Sequence, residues 1–207
     1  MSQQTRPSRS RLAAARATGA PREVRIIGGR WRRTPIPVAD APGLRPTPDR
    51  VRETLFNWLA HLKPDAAALR GLDLFAGTGA LGFELASRGA ASVLLVERQP
   101  ALLQRLRALR EKLAATTVEI LAGDARSLAA RLPRAAFDIV FLDPPFGAGL
   151  LWPAIEASIP LLAAGGLIYA EAEAPAAPAD AAALGLEIVR SARAGQVCFH
   201  LLQVRVA

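Results

Sequence analysis

The segment Leu72-Asp73-Leu74-Phe75-Ala76-Gly77-Thr78-Gly79-Ala80-Leu81-Gly82 decides the fold of this chain of 207 residues. It carries the glycine pattern G-x-G-x-x-G between an apolar run typical of a buried strand and a run with helical spacing. This context predicts a strand, a tight turn and a helix, with a nucleotide-like cofactor bound at the turn. The phosphate-binding P-loop is excluded, because Phe83 stands where that motif requires a lysine.

Strand-like apolar runs alternate with helical patterns along most of the chain. Strands are predicted at Leu72–Phe75, Ser92–Val96, Val118–Leu121, Ile139–Leu142 and Leu167–Ala170. Helices are predicted to begin at Gly79, Pro100, Ala125 and Pro48, the last with Thr47 as its cap. This alternation predicts an α/β fold with a mainly parallel, doubly wound sheet, whose ligand site lies outside the carboxyl ends of the strands.

The C-terminal part departs from this alternation. Leu186–Arg190 and Val197–Val206 flank the turn Ala194-Gly195. Two strand-like runs joined by a short turn that contains glycine are typical of a hairpin. We therefore expect an antiparallel hairpin at the edge of the sheet.

Four acidic residues stand at or just after the ends of successive predicted strands: Asp73, Glu97, Asp124 and Asp143. Because the carboxyl ends of parallel strands share one sheet edge, we expect these carboxylates to gather there. Glu97 follows Gly77 by twenty residues, where a carboxylate can accept both hydroxyls of a ribose. A net-cationic cofactor, S-adenosylmethionine, suits such an edge, whereas the pyrophosphate of a dinucleotide would be repelled.

A proline pair follows the fourth predicted strand in the segment Phe141-Leu142-Asp143-Pro144-Pro145-Phe146. Two consecutive prolines cannot continue a central strand, since neither donates a ladder hydrogen bond, and they stiffen the loop. The Asp143 carboxylate and the Pro144 carbonyl can then accept hydrogen bonds from one amino group, while the Phe146 ring stacks on a planar base. The segment predicts direct transfer of a methyl group to such an amine.

The net charge of +8 resides in the N-terminal part of the chain. Residues 1–33 hold nine arginines against one acid, Glu23, whereas residues 34–207 hold seventeen basic and seventeen acidic side chains. This polarity favours a basic arm over residues 1–22 that meets the phosphates of a nucleic acid. An inert solvated tail and a transit peptide are the alternatives.

Residues 23–46 are expected to form a small N-terminal hairpin module, followed by one domain over residues 47–207. Strand-like residues 24–27 and 30–33 flank the pair Gly28-Gly29, so the module would present an arginine-rich face. The candidate RNA-binding residues are Arg25, Arg30, Trp31, Arg32 and Arg33.

Several protein classes are excluded by composition. The longest uncharged run has fourteen residues, Ala157–Ala170, short of the roughly 18 that a membrane span needs. A single cysteine, Cys198, permits no internal disulfide, and the two histidines are 139 positions apart, so no metal site is expected. We expect a monomer in the cytoplasm, where thiols stay reduced.

The paired motifs D-L-F-A-G-T-G and D-P-P-F resemble those of amino-group methyltransferases that use S-adenosylmethionine. Three N-terminal blocks extend the likeness: residues 25–32 (RIIGGRWR), 43–47 (GLRPT) and 49–59 (DRVRETLFNWL). Together they resemble the bacterial small-subunit ribosomal RNA guanine methyltransferases of the RsmD family, over about residues 22–207. The leader before Arg22 is a departure whose role the resemblance leaves open.

The resemblance implies a Rossmann-like fold with a seven-stranded sheet and a product, 2-methylguanosine, at one site of the small-subunit ribosomal RNA. Its substrate would be a partly assembled ribosomal particle. It also implies cofactor contacts from Arg45, Thr47, Asp73, Phe75, Ala76, Gly77, Thr78, Gly79, Leu81, Glu97, Asp124, Ala125 and Asp143. In the same reading, the reacting base meets Asp143, Pro144, Pro145 and Phe146, while Arg45 and Thr47 close over the cofactor or line the substrate entrance.

Three alternatives stay open at this point. A nicotinamide-dependent oxidoreductase uses a similar glycine turn but leaves the Asp-Pro-Pro-Phe segment without a purpose. A non-catalytic RNA-binding module would need only the arginine hairpin and Trp31. The same chemistry can also act on DNA adenine or on a protein glutamine.

Overall fold

The computed structural model of the chain describes residues 23–38 and 47–205. Its strands are β1 (Glu23–Arg25), β2 (Pro35–Pro37), β3 (Arg70–Asp73), β4 (Ser92–Glu97), β5 (Val118–Ala122), β6 (Phe137–Leu142), β7 (Leu162–Ala172), β8 (Leu186–Ala194) and β9 (Val197–Val204). Its helices are α1 (Asp49–Leu62), α2 (Ala80–Ser87), α3 (Pro100–Lys112), α4 (Ala125–Ala129), α5 (Leu151–Ser158) and α6 (Pro178–Ala183). Short 3-10 turns at Ala66–Ala68 and Ile159–Leu161 precede β3 and β7.

Seven strands form one mixed sheet in the order β5-β4-β3-β6-β7-β9-β8. The five strands from β5 to β7 are parallel, and β9 runs antiparallel to both β7 and β8. This architecture confirms the predicted doubly wound α/β fold. It also confirms the C-terminal hairpin, whose second strand lies inside the sheet and whose first strand forms the edge.

Helices cover both faces of the sheet. Buried residues of α1, α2 and α3 join one apolar cluster with alternate residues of the strands, among them Phe141 and Tyr169. Residues of α4, α5 and α6 join a second cluster, which includes Leu142 and Ala170. Because successive strand residues point to opposite faces, the two clusters divide each central strand between them. Continuous apolar runs such as β6 suit strands that are buried on both sides.

The N-terminal sheet differs from the predicted hairpin. β1 pairs antiparallel with β2, in the register Val24 with Ile36, and the segment Arg30–Arg33 lies in the connecting turn. The backbone N–H groups of Arg30 and Trp31 donate to the carbonyl and hydroxyl oxygens of Ser87, at 2.7 and 2.9 Å. The first two residues of the predicted strand are thus bonded to the end of α2, while the N–H groups of Arg32 and Arg33 donate to the carbonyl oxygens of Gly29 and Ile26.

Arg52 joins the N-terminal sheet to the helices. Its fully buried guanidinium donates to the carbonyl oxygen of Arg25 at 2.7 Å and to the carboxylate of Asp49 at 2.6 Å. It also lies 3.6 Å from the buried carboxylate of Glu84, which accepts the N–H groups of Ile27 and Gly28. These contacts fix β1 against α1 and α2. The boundaries at residues 22 and 46 stay predictions.

Among the residues that the structure describes, no helix is long and apolar enough to cross a membrane. Within the same two ranges, no group of three or more histidine, cysteine, aspartate or glutamate side chains is placed to hold a metal ion.

Candidate active site

A cavity of about 360 Å³ opens at the carboxyl edge of the parallel strands. It lies where β3 and β6 meet, which is the point at which the strand order reverses. Ligands of open α/β sheets bind at such a point because the loops diverge there and leave a crevice. The structure brings the four predicted acidic residues to this cavity: Asp73, Glu97, Asp124 and Asp143.

The glycine turn between β3 and α2 forms one wall of the cavity. Gly77 and Gly79 have φ angles of 52° and 79°, which side chains disfavour. A Cβ on Gly79 would lie 2.6 Å from a methyl group of Leu106, so the turn requires glycine for space as well. Gly79 is the N-cap residue of α2 and is not among the residues that line the cavity. Its neighbours Gly77, Thr78 and Ala80 line the cavity instead.

Glu97 organises the loops around the glycine turn. One of its carboxylate oxygens accepts the Gly77 N–H at 2.9 Å, and the other accepts the N–H groups of Arg98 and Gln99 at 2.8 Å each. The side chain is buried at the end of β4, next to β3. Glu97 therefore joins the turn after β3 to the loop after β4, and it lines the cavity from that position.

Asp73 is the most deeply buried acid of the cavity wall. Its residue is 2% exposed at the end of β3. Burial raises the pKa of its carboxyl to about 7, helped by the charges of Glu97 and Glu171 and opposed by hydrogen bonds from the N–H groups of Gly82 and Phe75. None of the described groups that shift this pKa is a cation, so a positively charged ligand would favour the ionised form.

Asp124 has a second task in the fold. It caps α4, because its carboxylate accepts both the N–H and the hydroxyl of Ser127 at 3.1 Å. These hydrogen bonds hold the pKa of Asp124 below its ordinary value. Ala125, the first residue of the helix, is buried and lines the cavity beside it.

The predicted diproline loop lies directly after β6 and faces the cavity with all four residues, Asp143 to Phe146. Pro144 is buried and Phe146 is half-buried against the core cluster of α1 and α2. The hydroxyl of Thr47 donates to Asp143 Oδ2 at 3.3 Å. Thr47 was expected to cap α1, yet Pro48 occupies the cap position and makes no side-chain bond. The hydroxyl serves Asp143 instead.

Other predicted residues divide into three groups. Phe75, Ala76, Leu81 and Pro145 line the cavity with those already described. Arg25, Arg30, Arg32 and Arg33 are exposed on the N-terminal sheet and its turn, away from the cavity lining, and Trp31 packs partly on the core. Arg45 lies outside the described residues. The roles of the site residues stay predictions.

Sequence reasoning missed Glu171, which lines the cavity from β7. The predicted strand stopped at Ala170, two residues before the end of β7, so Glu171 follows it directly, as Glu97 and Asp143 follow their predicted strands. The other lining residues that were missed are Pro48, Leu74, Ala80, Val96, Arg98, Gln99, Leu102, Gly123, Arg126, Leu150 and Val197. Most of them are apolar or generic loop residues that no motif marks.

The comparisons with known proteins identify the family. A family model described as "Conserved hypothetical protein 95" matches residues 24–203. The ribosomal RNA small subunit methyltransferase D of Escherichia coli is 44% identical over 191 residues, which cover 87% of this chain and 90% of that protein. The chain belongs to the ribosomal RNA small subunit methyltransferase D family.

Two solved structures agree with this membership. A putative methyltransferase of Escherichia coli superposes with a TM-score of 0.74 at 40% identity, over 88% of this chain and 98% of the other. A putative methylase of Haemophilus influenzae gives a TM-score of 0.71 at 32% identity, again over 88% and 98%. The region matched by the methyltransferase D family model contains the whole cavity, and residues 1–22 lie before it.

Proposed function

We propose that this methyltransferase transfers a methyl group from S-adenosylmethionine to the exocyclic 2-amino group of a guanine in small-subunit ribosomal RNA, giving 2-methylguanosine. One observation carries the proposal: the glycine turn with Glu97 and the Asp143–Phe146 loop open on the same cavity. The relatives' name, ribosomal RNA small subunit methyltransferase, supports the RNA substrate. The family resemblance supports guanine.

The residues around the cavity fit S-adenosylmethionine. This cofactor carries an ammonium and a sulfonium against one carboxylate, and none of the described groups that shift the pKa of the buried Asp73 is a cation. A dinucleotide would bring a pyrophosphate among carboxylates, without the lysine of a P-loop to offset them. The glycine turn, Glu97 and Asp124 with Ala125 would hold the methionine, ribose and adenine parts. When bound, S-adenosylmethionine supplies an electrophilic methyl group on its sulfonium.

Asp143 and Pro144 prepare the amine to react. An exocyclic amine of a base is a weak nucleophile, because its lone pair is delocalised into the ring. Two acceptors on its hydrogens, the Asp143 carboxylate and the Pro144 carbonyl, favour a pyramidal nitrogen and localise the lone pair. The rigid proline pair holds both acceptors, so orientation contributes much of the rate, up to roughly 7–11 kcal/mol in well-aligned systems.

Phe146 provides a surface for the target base. Its ring is half-buried and lines the cavity at the end of the Asp143–Phe146 loop. A flipped or unpaired guanine can stack on it there. The exposed arginines of the N-terminal sheet and the basic residues 1–22 would contact phosphates outside the cavity. We propose a partly assembled ribosomal particle as the substrate and a cytoplasmic monomer as the active form.

Methyl transfer measured directly tests this function. The protein is incubated with S-adenosylmethionine labelled in its methyl group and with small-subunit particles, or naked ribosomal RNA, from a strain that lacks the enzyme. Nucleoside mass spectrometry should find the label as 2-methylguanosine at one position. Parallel reactions offer DNA and protein as acceptors: label in N6-methyladenine or in a glutamine would select the alternatives, and no transfer to any acceptor would refute the proposal.

A further inference from the structure

Glu171 lies beside Asp143 at the carboxyl edge of the sheet. β6 and β7 are parallel and pair Leu142 with Ala170, so Asp143 and Glu171 are the next residue on each strand. Neighbouring strands lie about 4.8 Å apart, and residues in register point to the same face. Glu171 is 2% exposed, and its side chain lines the cavity together with Asp143.

Tyr169 holds the Glu171 carboxylate in place. The two residues are two positions apart on β7 and therefore share a face, and the Tyr169 hydroxyl donates to Glu171 Oε1 at 2.8 Å. Burial raises the pKa of Tyr169 well above its usual value, and the charges of Glu171 and Asp143 act in the same direction. The phenol therefore stays a donor, and the carboxylate is held as an acceptor.

Glu171 lies on the side of the cavity opposite the cofactor elements. The glycine turn, Glu97 and Asp124 follow β3, β4 and β5, all on one side of β6. β7 lies on the other side of β6 and is followed in the sheet by β9, whose Val197 also lines the cavity. With the cofactor over β3 to β5, as the proposed function has it, the β7 side faces the target base.

We propose that Glu171 selects guanine, by accepting a hydrogen bond from N1–H of the base whose 2-amino group faces Asp143. Tyr169 is the positioning residue for this contact. Guanine carries two neighbouring donors on this edge, N1–H and the 2-amino group, which match two neighbouring carboxylates. Adenine presents a lone pair at N1 and cytosine one at N3, and a carboxylate there would repel both. The inference rests on the proposed function and specifies its substrate.

An RNA with 2-aminopurine at the target position tests this contact, since that base keeps the 2-amino group but has no hydrogen on N1. Wild-type protein and Glu171→Gln are compared on the guanine and 2-aminopurine RNAs. We expect Glu171→Gln to lower kcat/KM on guanine about tenfold, because a neutral amide oxygen replaces the charged acceptor. On 2-aminopurine the variant should lose no activity, because its amide can donate to the N1 lone pair. The intrinsic reactivity of the two amines cancels in this comparison.

Two further variants and one binding measurement distinguish base selection by Glu171 from a role of Glu171 in cofactor binding or in the fold. Tyr169→Phe should shift the base preference in the same direction by about three- to tenfold, and Glu187→Gln, at an exposed position of β8, should leave it unchanged. The Kd of S-adenosylmethionine, measured by calorimetry, should stay within about threefold in all of them.

Contrary results are equally distinct. An equal loss on both bases overturns the inference: weaker cofactor binding would then assign Glu171 to the cofactor, and unchanged cofactor binding would assign it to the fold. An unchanged guanine preference in Glu171→Gln overturns it as well. A wild-type protein that forms no 2-methylguanosine at all would instead refute the proposed function, before any variant is compared.

Discussion

The Thr47 hydroxyl donates a hydrogen bond to Asp143 Oδ2 across 3.3 Å, and so joins the residue before α1 to the loop after β6. Thr47 is only 4% exposed, although the neighbouring Pro48 and Asp49 are on the surface. The bond fixes one carboxylate oxygen of Asp143 at the cavity wall. We therefore expect Thr47 to act on the proposed reaction through Asp143, as a positioning residue.

Replacing Thr47 by valine should lower kcat about three- to tenfold with little change in KM, because the side chain keeps its shape and loses only the bond to Asp143. Thr47→Ser retains the hydroxyl and should restore most of the rate, which a purely steric role would not explain. Thr54→Val is the matched control, since that hydroxyl bonds to the Arg50 carbonyl within α1. Steady-state kinetics of methyl transfer to the unmethylated RNA measure all three variants.

Asp143→Ala should abolish methyl transfer and leave the Kd of S-adenosylmethionine within about tenfold, because the carboxylate is assigned to the amine. Asp138→Ala is the control on the same strand: it removes an ion pair with Arg70 at 2.9 Å, outside the cavity lining. It should reduce stability by about 1 kcal/mol and leave kcat unchanged. Near-normal turnover of Asp143→Ala would refute the assigned role.

Glu97→Gln should weaken both cofactor binding and the fold. The carboxylate accepts three N–H groups, those of Gly77, Arg98 and Gln99, on two oxygens, but the glutamine amide has only one acceptor oxygen. Its NH₂ group would face at least one of these donors and leave it without an acceptor. Leaving buried donors unpaired costs about 1–3 kcal/mol, so we expect a lower Tm and a cofactor Kd raised about 10- to 100-fold. Glu119→Gln, exposed on β5, should change neither. An unchanged cofactor Kd in Glu97→Gln would move the ribose contact elsewhere.

The parallel sheet and the cavity edge were predictable because their signals are local. Each signal can be recognised within about ten residues: the apolar runs of β3 to β7, the glycine turn and the acids at the ends of the strands. Parallel topology then brings the strand ends together. Asp73, Glu97 and Asp143 line one cavity for that reason.

The errors arose where partners are distant in sequence. Arg30–Arg33 was expected to be the second strand of a hairpin, but the N–H groups of Arg30 and Trp31 donate to Ser87, more than fifty residues away. Thr47 has the sequence of a helix cap, but its hydroxyl bonds to Asp143, 96 positions later. No local pattern contains either partner. Glu171 was missed for a different reason: it follows the predicted strand Leu167–Ala170 directly, as Asp143 follows its own strand, but no motif accompanies it.

Residues 1–22 carry five arginines, and their replacement by glutamine should reduce both the affinity for ribosomal RNA and its dependence on salt. Each phosphate contact contributes about 0.7–0.9 to the slope of log K against log salt concentration, so three contacts would lower it by about two to three. Replacement of the same five arginines by lysine keeps the charge and should keep the slope. An identical slope in the glutamine variant would make this segment an inert tail.

The buried carboxyl of Asp73 should make the protein less stable as the pH rises. Between the unfolded pKa of 3.8 and the folded value of about 7, the folded chain keeps a proton that the unfolded chain has released. The free energy of unfolding therefore falls as the pH rises through this window. Asp73→Asn cannot titrate and should remove this part of the slope, whereas Asp65→Asn, at an exposed position, should retain it.

Urea unfolding at pH 5 and pH 8 measures the effect as the difference between wild type and Asp73→Asn. S-adenosylmethionine should restore the stability that the wild type loses at pH 8, because a cationic ligand favours the ionised Asp73 carboxylate and lowers its pKa. Binding at pH 6 should consequently release a proton, visible in calorimetry as an enthalpy that depends on the ionisation heat of the buffer. Equal pH slopes in the wild type and in Asp73→Asn would show that Asp73 is already ionised in the free protein, and that the cavity needs no cation to offset it.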